Sequence, residues 1–180
     1  MRVVRRSLLL ILASLVPAAA ATLERLSFED LVTRSTGIVR GRAISSSASQ
    51  IGSTIYTRTR FEVLERWKGA EGTQIEVFEP GGTVGRSSQS YSGVPRFEPG
   101  QEVVLFLWTG PSGRTQVTGL SQGVFQVVRG DGPDARVVRK PSGEILLAPG
   151  LGAPVRDEEL VMSLGQLSAR IRVVLEKNKR

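Results

Sequence analysis

Residues 55–63 read Ile-Tyr-Thr-Arg-Thr-Arg-Phe-Glu-Val, two interleaved sets that part onto opposite faces of a β-strand, because successive side chains point to opposite sides. Ile55, Thr57, Thr59, Phe61 and Val63 form the core side; Tyr56, Arg58, Arg60 and Glu62 form the wet side. The alternation breaks at Leu64 and Trp67, and Lys68-Gly69 opens a turn. Period two resumes over residues 74–78 with Ile75 and Val77 inward, and Pro80-Gly81-Gly82 stops that strand. Upstream, residues 38–46 alternate with Gly41 at a bend. Downstream, residues 103–108 (VVLFLW) form an uninterrupted apolar run, whose length and branching predict a central strand covered on both faces.

Shorter strands are predicted at residues 115–119, 124–129 and 136–140, separated by glycine-containing turns. Two stretches read instead as loops: the serine-rich residues 45–53, and residues 81–100, rich in glycine, proline and serine and broken by at most a short strand. Helices bracket the strands. Ser27 and Asp30 form a capping box ahead of the stripe Leu26, Phe28, Leu31 and Val32, with Gly37 ending that helix. Leu160, Leu164, Leu167, Ile171, Val174 and Leu175 recur at intervals of three and four, and Ser163 with Gln166 places the helix start at Leu164, giving an amphipathic helix over about 164–177. Short helix, many strands and closing helix predict a mainly β chain: a small antiparallel barrel with helical plugs.

Residues 1–21 carry the layout of a secretory signal: Arg2, Arg5 and Arg6, then a short apolar core over residues 7–16, then Pro17 and four alanines. The reading is a Sec-type signal peptide over 1–21, a single domain over 22–180, and a secreted or periplasmic location with no transmembrane anchor after cleavage. Losing the three leader arginines leaves 21 basic against 17 acidic residues, a balance near +4. With the charges scattered, that falls short of a nucleic-acid footprint. The chain has no cysteine and no histidine, which removes thiol nucleophiles, disulfides, imidazole bases and tetrahedral zinc sites together. No metal site and no cofactor are expected.

Residues 38–43 (IVRGRA), 61–69 (FEVLERWKG), 75–77 (IEV) and 97–106 (FEPGQEVVLF) resemble the strand series of the netrin-like domains, which include the tissue inhibitors of metalloproteinases and their bacterial relatives. The resemblance spans roughly residues 28–108. The chain is also similar to secreted bacterial proteins of unassigned function, through residues 119–125 (GLSQGVF). The resemblance implies an OB-like five-stranded barrel. It does not carry over the inhibitors' mechanism, which uses an N-terminal cysteine that this chain lacks.

Three sets of residues are candidates for function. Gly81-Gly82-Thr83-Val84-Gly85-Arg86 can form an anion-binding nest of backbone N–H groups, or simply turns. Tyr56, Arg58 and Arg60 on the wet strand face, with Tyr91 and Arg96 from the 81–96 loop, can build a platform for a glycan or peptide. Glu62 and Glu65, or Asp157, Glu158 and Glu159, can in principle supply an acid and a base, and Asp131 with Asp134 can touch calcium. The leading function is an exported non-catalytic binding or interaction module. Its partner is a protein or an envelope polymer or glycan, bound through Tyr56, Arg58, Arg60, Gly81, Gly82, Arg86, Tyr91 and Arg96. The alternatives are an inhibitor or accessory domain of a secreted metalloprotease, and a carboxylate-dependent envelope hydrolase. Intact-mass analysis of exported protein should show residues 1–21 removed; a retained Met1 would restore the anchor reading.

Overall fold

The computed structural model describes residues 22–130, 132–150 and 152–178, so the leader lies outside the described residues, as does Asp131. Strand β1 (Thr22–Glu24) leads into helix α1 (Phe28–Arg34). The predicted capping box starts this helix: the Asp30 N–H donates to Ser27 Oγ at 3.0 Å, and the Ser27 N–H to Asp30 Oδ2 at 3.2 Å. It ends at Arg34 with Ser35 as C-cap, so Gly37 opens the next strand instead of closing the helix.

Strands β2 (Gly37–Ile51) and β3 (Thr54–Lys68), fifteen residues each, form one long antiparallel hairpin. The serine-rich stretch is therefore mostly strand: Ser45 to Ile51 pair across to Arg60 to Thr54, and only Gly52 and Ser53 turn. Serines suit this arm because most of its residues stay exposed and need no apolar face. Register shifts near Gly41 mark the expected bend as a bulge. The turn after Lys68 is fixed from the side, since Lys68 Nζ donates to the α1 carbonyls of Val32 at 2.9 Å and Thr33 at 3.2 Å.

Strand β4 (Gln74–Pro80) runs two residues further than its predicted end. The glycine-rich stretch after it holds a small hairpin, β5 (Gly82–Val84) and β6 (Ser87–Gln89), before the apolar run forms β7 (Glu102–Thr109). The predicted short strands follow as β8 (Thr115–Val117), β9 (Val124–Arg129) and β10 (Arg136–Arg139). Strands β11 (Ile145–Leu147), β12 (Pro154–Val155) and β13 (Leu160–Ser163) precede helix α2 (Leu164–Lys177), which Ser163 and Gln166 cap reciprocally. Leu160, at the head of the apolar stripe, is thus in a strand.

The large antiparallel sheet has the order β13-β10-β9-β7-β2-β3-β4, with β8 pairing the end of β7 beside β9. A second small sheet joins β1, β11 and β12, with β1 parallel to β11. The architecture is mainly β, as predicted. It is not a closed barrel: β4 and β13 end the sheet without pairing each other. The sheet curls so that β4 packs beside β8, where the Val117 N–H donates to the Glu79 side chain at 2.7 Å.

Strand β7 shows why the sheet needs two cores. Val103 through Leu107 are all 0 % exposed, but odd and even positions serve different clusters. Val103, Leu105 and Leu107 face the hollow of the curl with Val39, Ala43, Phe61, Val77, Phe97 and Val117. Phe61 and Phe97 meet there edge to face at 5.0 Å between centroids. Val104 and Phe106 face the helices, packing with Ile38, Phe125, Leu167 and Ile171. Val63 is only partly buried against the first cluster; it lies just past the last residue of β3 that pairs with β4, Glu62.

Phe61 is fully buried and central to the inner cluster, so Phe61→Ala should destabilise the chain by about 3–5 kcal/mol. A variant with the parent's denaturation midpoint would contradict this packing.

Candidate functional site

The curl is joined at its seam by a side chain. Strand β4 places Ile75, Val77 and Glu79 on its inner face, so the parity that buries two apolar residues also buries a carboxyl, leaving Glu79 3 % exposed. Its Oε1 accepts the Val117 N–H at 2.7 Å, while Oε2 has no hydrogen-bond partner among the described residues. Burial pushes this carboxyl up to about 7, against the opposing pulls of the Val117 N–H and the Arg96 charge.

Glu79 lies between two hollows. One, of about 370 Å³, is lined by Ser46, Thr57, Thr59, Arg96, Phe97 and Glu98. The other, of about 210 Å³, is lined by Pro80, Trp108, Gln116, Thr118 and Leu120. Leu120 is the one non-glycine among the described residues at positive φ, +55°, a conformation that costs an L-residue roughly 1–2 kcal/mol. It follows Gly119 in the turn whose Gln122 side chain accepts from the Leu26 N–H at 2.9 Å and donates to the Glu24 carbonyl at 3.1 Å. The strain is thus held by a buried tie to the start of the chain.

The residues expected to bind fall into three places. Gly81, Gly82, Tyr91 and Arg96 gather beside the first hollow. A Cβ on Gly81 would meet the Gln89 carbonyl at 2.9 Å and the Arg96 guanidinium closer still; one on Gly82 would meet Thr57 Oγ1 at 2.7 Å. Only glycine lets the chain pass there, and Arg96 then donates to the Pro80 carbonyl at 3.3 Å. Tyr56, Arg58 and Arg60 lie on the other face of β3. Arg58 and Arg60 pair with Glu76 at 3.6 and 3.3 Å, and Arg114 stacks over Tyr56 at 5.4 Å. Arg86 stands apart, exposed at the tip of the β5–β6 hairpin.

The backbone of residues 81–84 does not form a nest. Gly81 donates its N–H to Ile55 at 2.6 Å, and Gly82 to Val84 pair with Gln89 to Ser87. Loop and hairpin are locked by Gln89, whose Oε1 accepts from the Ile55 N–H at 2.7 Å while Nε2 donates to the Ser53 carbonyl at 2.9 Å.

Three of the other candidate acids, Glu62, Glu65 and Asp157, stand in ion pairs. Glu62 lies 3.5 Å from Arg42, and Glu65 lies 3.8 Å from Arg172. Asp157, with its side chain 5 % exposed, is held by Arg139 at 2.7 Å and by the Ser142 N–H at 2.7 Å. Burial raises its carboxyl, but those bonds and the Arg139 charge outweigh it and leave Asp157 below the usual range. Among the described residues no three acids gather as a cation cage, and no helix is long and apolar enough to cross a membrane. No family model, curated protein or solved structure matches the chain, and nothing in these comparisons points to catalytic activity.

The period-two reading of the sequence stops at Phe78 and so passes over Glu79. The signal was present as a charged residue in the apolar parity line of β4.

The raised carboxyl sets a pH dependence whose sign is fixed. Between about pH 4.5 and 7 the folded chain keeps a proton that the unfolded chain releases, so stability is greatest at the acid end and falls as pH rises through about 7. The total loss is roughly 3 kcal/mol. With no histidine in the chain, only the α-amino group ordinarily titrates nearby. Urea midpoints should therefore fall from pH 4.5 to 8 in the parent and stay level in Glu79→Gln; a parent midpoint that rose across this window would contradict the assignment.

Proposed function

We propose that this chain is an exported, non-catalytic binding module whose partner, a protein or an envelope polymer, docks at the seam of the curled sheet beside Glu79. The observation that carries this reading is the Glu79 carboxyl: a polar group buried at the meeting of two hollows, with one oxygen left without a partner among the described residues. Such a group is costly in an apolar core, at about 1–3 kcal/mol, and is retained where a ligand completes its hydrogen bonding. The hollows sit on rigid strands and not on loop tips alone, which favours a preformed site.

Export is supported by the charged, apolar and small-residue order of residues 1–21. The netrin-like resemblance supports the same reading, because OB-like domains bind on a strand face and its adjoining loops. The grouping of Gly81, Gly82, Tyr91 and Arg96 beside the larger hollow supports their part in the site, whereas Arg58 and Arg60 are engaged by Glu76.

The test is retention from envelope extract by the immobilised chain, run beside Arg96→Glu and Thr59→Arg, which reverse the charge and fill the larger hollow. The parent should retain a discrete component that both variants lose. A retained protease would move the assignment to the inhibitor reading, and turnover of glycoside or ester substrates would move it to the hydrolase reading. Equal retention by all three chains would remove the site from this face.

A further inference from the structure

The smaller hollow has a chemistry of its own. It is lined by Glu79, Pro80, Gln116, Val117, Thr118 and Leu120, with the Trp108 side chain, 44 % accessible, as its exposed wall. The indole is held in place by the chain itself, since it lies against Gly110, where an added Cβ would stand 2.7 Å from the ring. A buried carboxyl lining an apolar slot, next to an exposed aromatic side chain, is complementary to a cation on an alkyl stem.

We propose that this hollow binds the ammonium group of a lysine-type side chain presented by a partner protein, with the ammonium pairing with the Glu79 carboxylate and its methylene stem lying along Trp108. This rests on the reading of the seam as a binding site. At about 210 Å³ the hollow is smaller than the pockets that enclose a whole small-molecule ligand, so it takes one group of a larger partner. Its apolar sides suit methylenes. An amino sugar would set ring hydroxyls against Pro80, Val117 and Leu120 without partners.

The charged groups facing Glu79 or lying nearest its strand are few. Arg96 acts on it from the loop at residues 95–99, Glu98 of that loop lines the larger hollow with it, and Arg114, just before β8, is engaged with Tyr56. Strand β3 presents only the hydroxyls of Thr57 and Thr59 on that side, and β7 presents Trp108. An incoming ammonium is therefore the one close cation on the Trp108 side, and it binds the ionised carboxyl. Affinity rises with pH as Glu79 loses its proton near 7, then levels until the amine itself deprotonates.

The full chain is titrated with Nα-acetyl-lysine methylamide and followed by the NMR signals of the Trp108 indole N–H and the Val117 amide. Saturable shifts of both signals at pH 8 are expected, with affinity at least about tenfold weaker at pH 5.5 and in Glu79→Gln. Trp108→Leu, at a half-exposed position, should weaken binding while leaving the spectrum dispersed, which separates loss of the site from loss of the fold. The Nα-acetyl-norleucine analogue carries the same stem without the amine. If it binds as well as the lysine probe, or if neither probe shifts these signals, the ammonium site is refuted. Preference for glucosamine over the lysine probe would overturn the lysine-type assignment. If the probe fails while the chain still retains an envelope component, the ammonium site falls and the binding module stands.

Discussion

Everything in this molecule is arranged around the need to cover β7 on both faces. Five consecutive apolar residues cannot alternate between core and water, so each face of the strand demands its own cover. The curl of β2, β3, β4 and β8 supplies one, through Phe61 and Val77, with Phe97 added from the loop before β7; α1 and α2 supply the other, through Leu31, Val32, Leu167 and Ile171. At roughly 1.5–3 kcal/mol for each large side chain fully removed from water, these two layers dominate the favourable side of folding. Neither layer has a disulfide to support it. Side-chain packing alone fixes the geometry of the curl, and with it the positions of Glu79 and Trp108.

The inner layer is where the molecule departs from a plain hydrophobic core. A curled sheet whose last strand met β8 by a regular ladder would seal the hollow with main-chain bonds. Here the joint is one carboxyl oxygen accepting one N–H. The second oxygen has no partner among the described residues, and the same low-polarity surroundings that strengthen the first bond keep the proton on the group to an unusually high pH. A leucine in its place would pack more cheaply. That the least comfortable group in the inner core also faces two hollows is what makes the seam, and not the arginine face of β3, the centre of the functional reading.

Local physics was legible in the sequence and nonlocal pairing was not. The period-two run from Ile55 gave the faces of β3 correctly, since Ile55, Thr59 and Phe61 are buried while Arg58, Arg60 and Glu62 are exposed. Both capping boxes were readable because they are closed by residues three apart. The serine stretch misled because its composition suits a loop; what makes it a strand is hydrogen bonding to β3 across a two-residue turn, which composition does not encode. Half of the candidate site was visible as glycines and an arginine. The other half was hidden, since Glu79 became informative only once β4 extended past Phe78, and Trp108 only once β8 folded back on β7. Arg58 and Arg60 looked available in the sequence and are engaged by Glu76, a contact set by the register of β3 on β4.

The way β4 ends the sheet also bears on self-association. An open edge strand exposes a row of main-chain donors and acceptors on which another copy can add, and proteins guard such edges with short strands, prolines or charges turned inward. Strand β13, at the other end, is only four residues long. Strand β4 is longer and carries Ile75 and Val77, but its next inward position is Glu79, and Pro80 follows without an N–H to offer. A second chain zipping along this edge would have to enclose the carboxyl in a continuous two-molecule sheet. The group that weakens the inner core therefore also works against end-to-end aggregation, and an apolar replacement chosen for a tighter core would leave β4 guarded only by Pro80 and the outward Glu76.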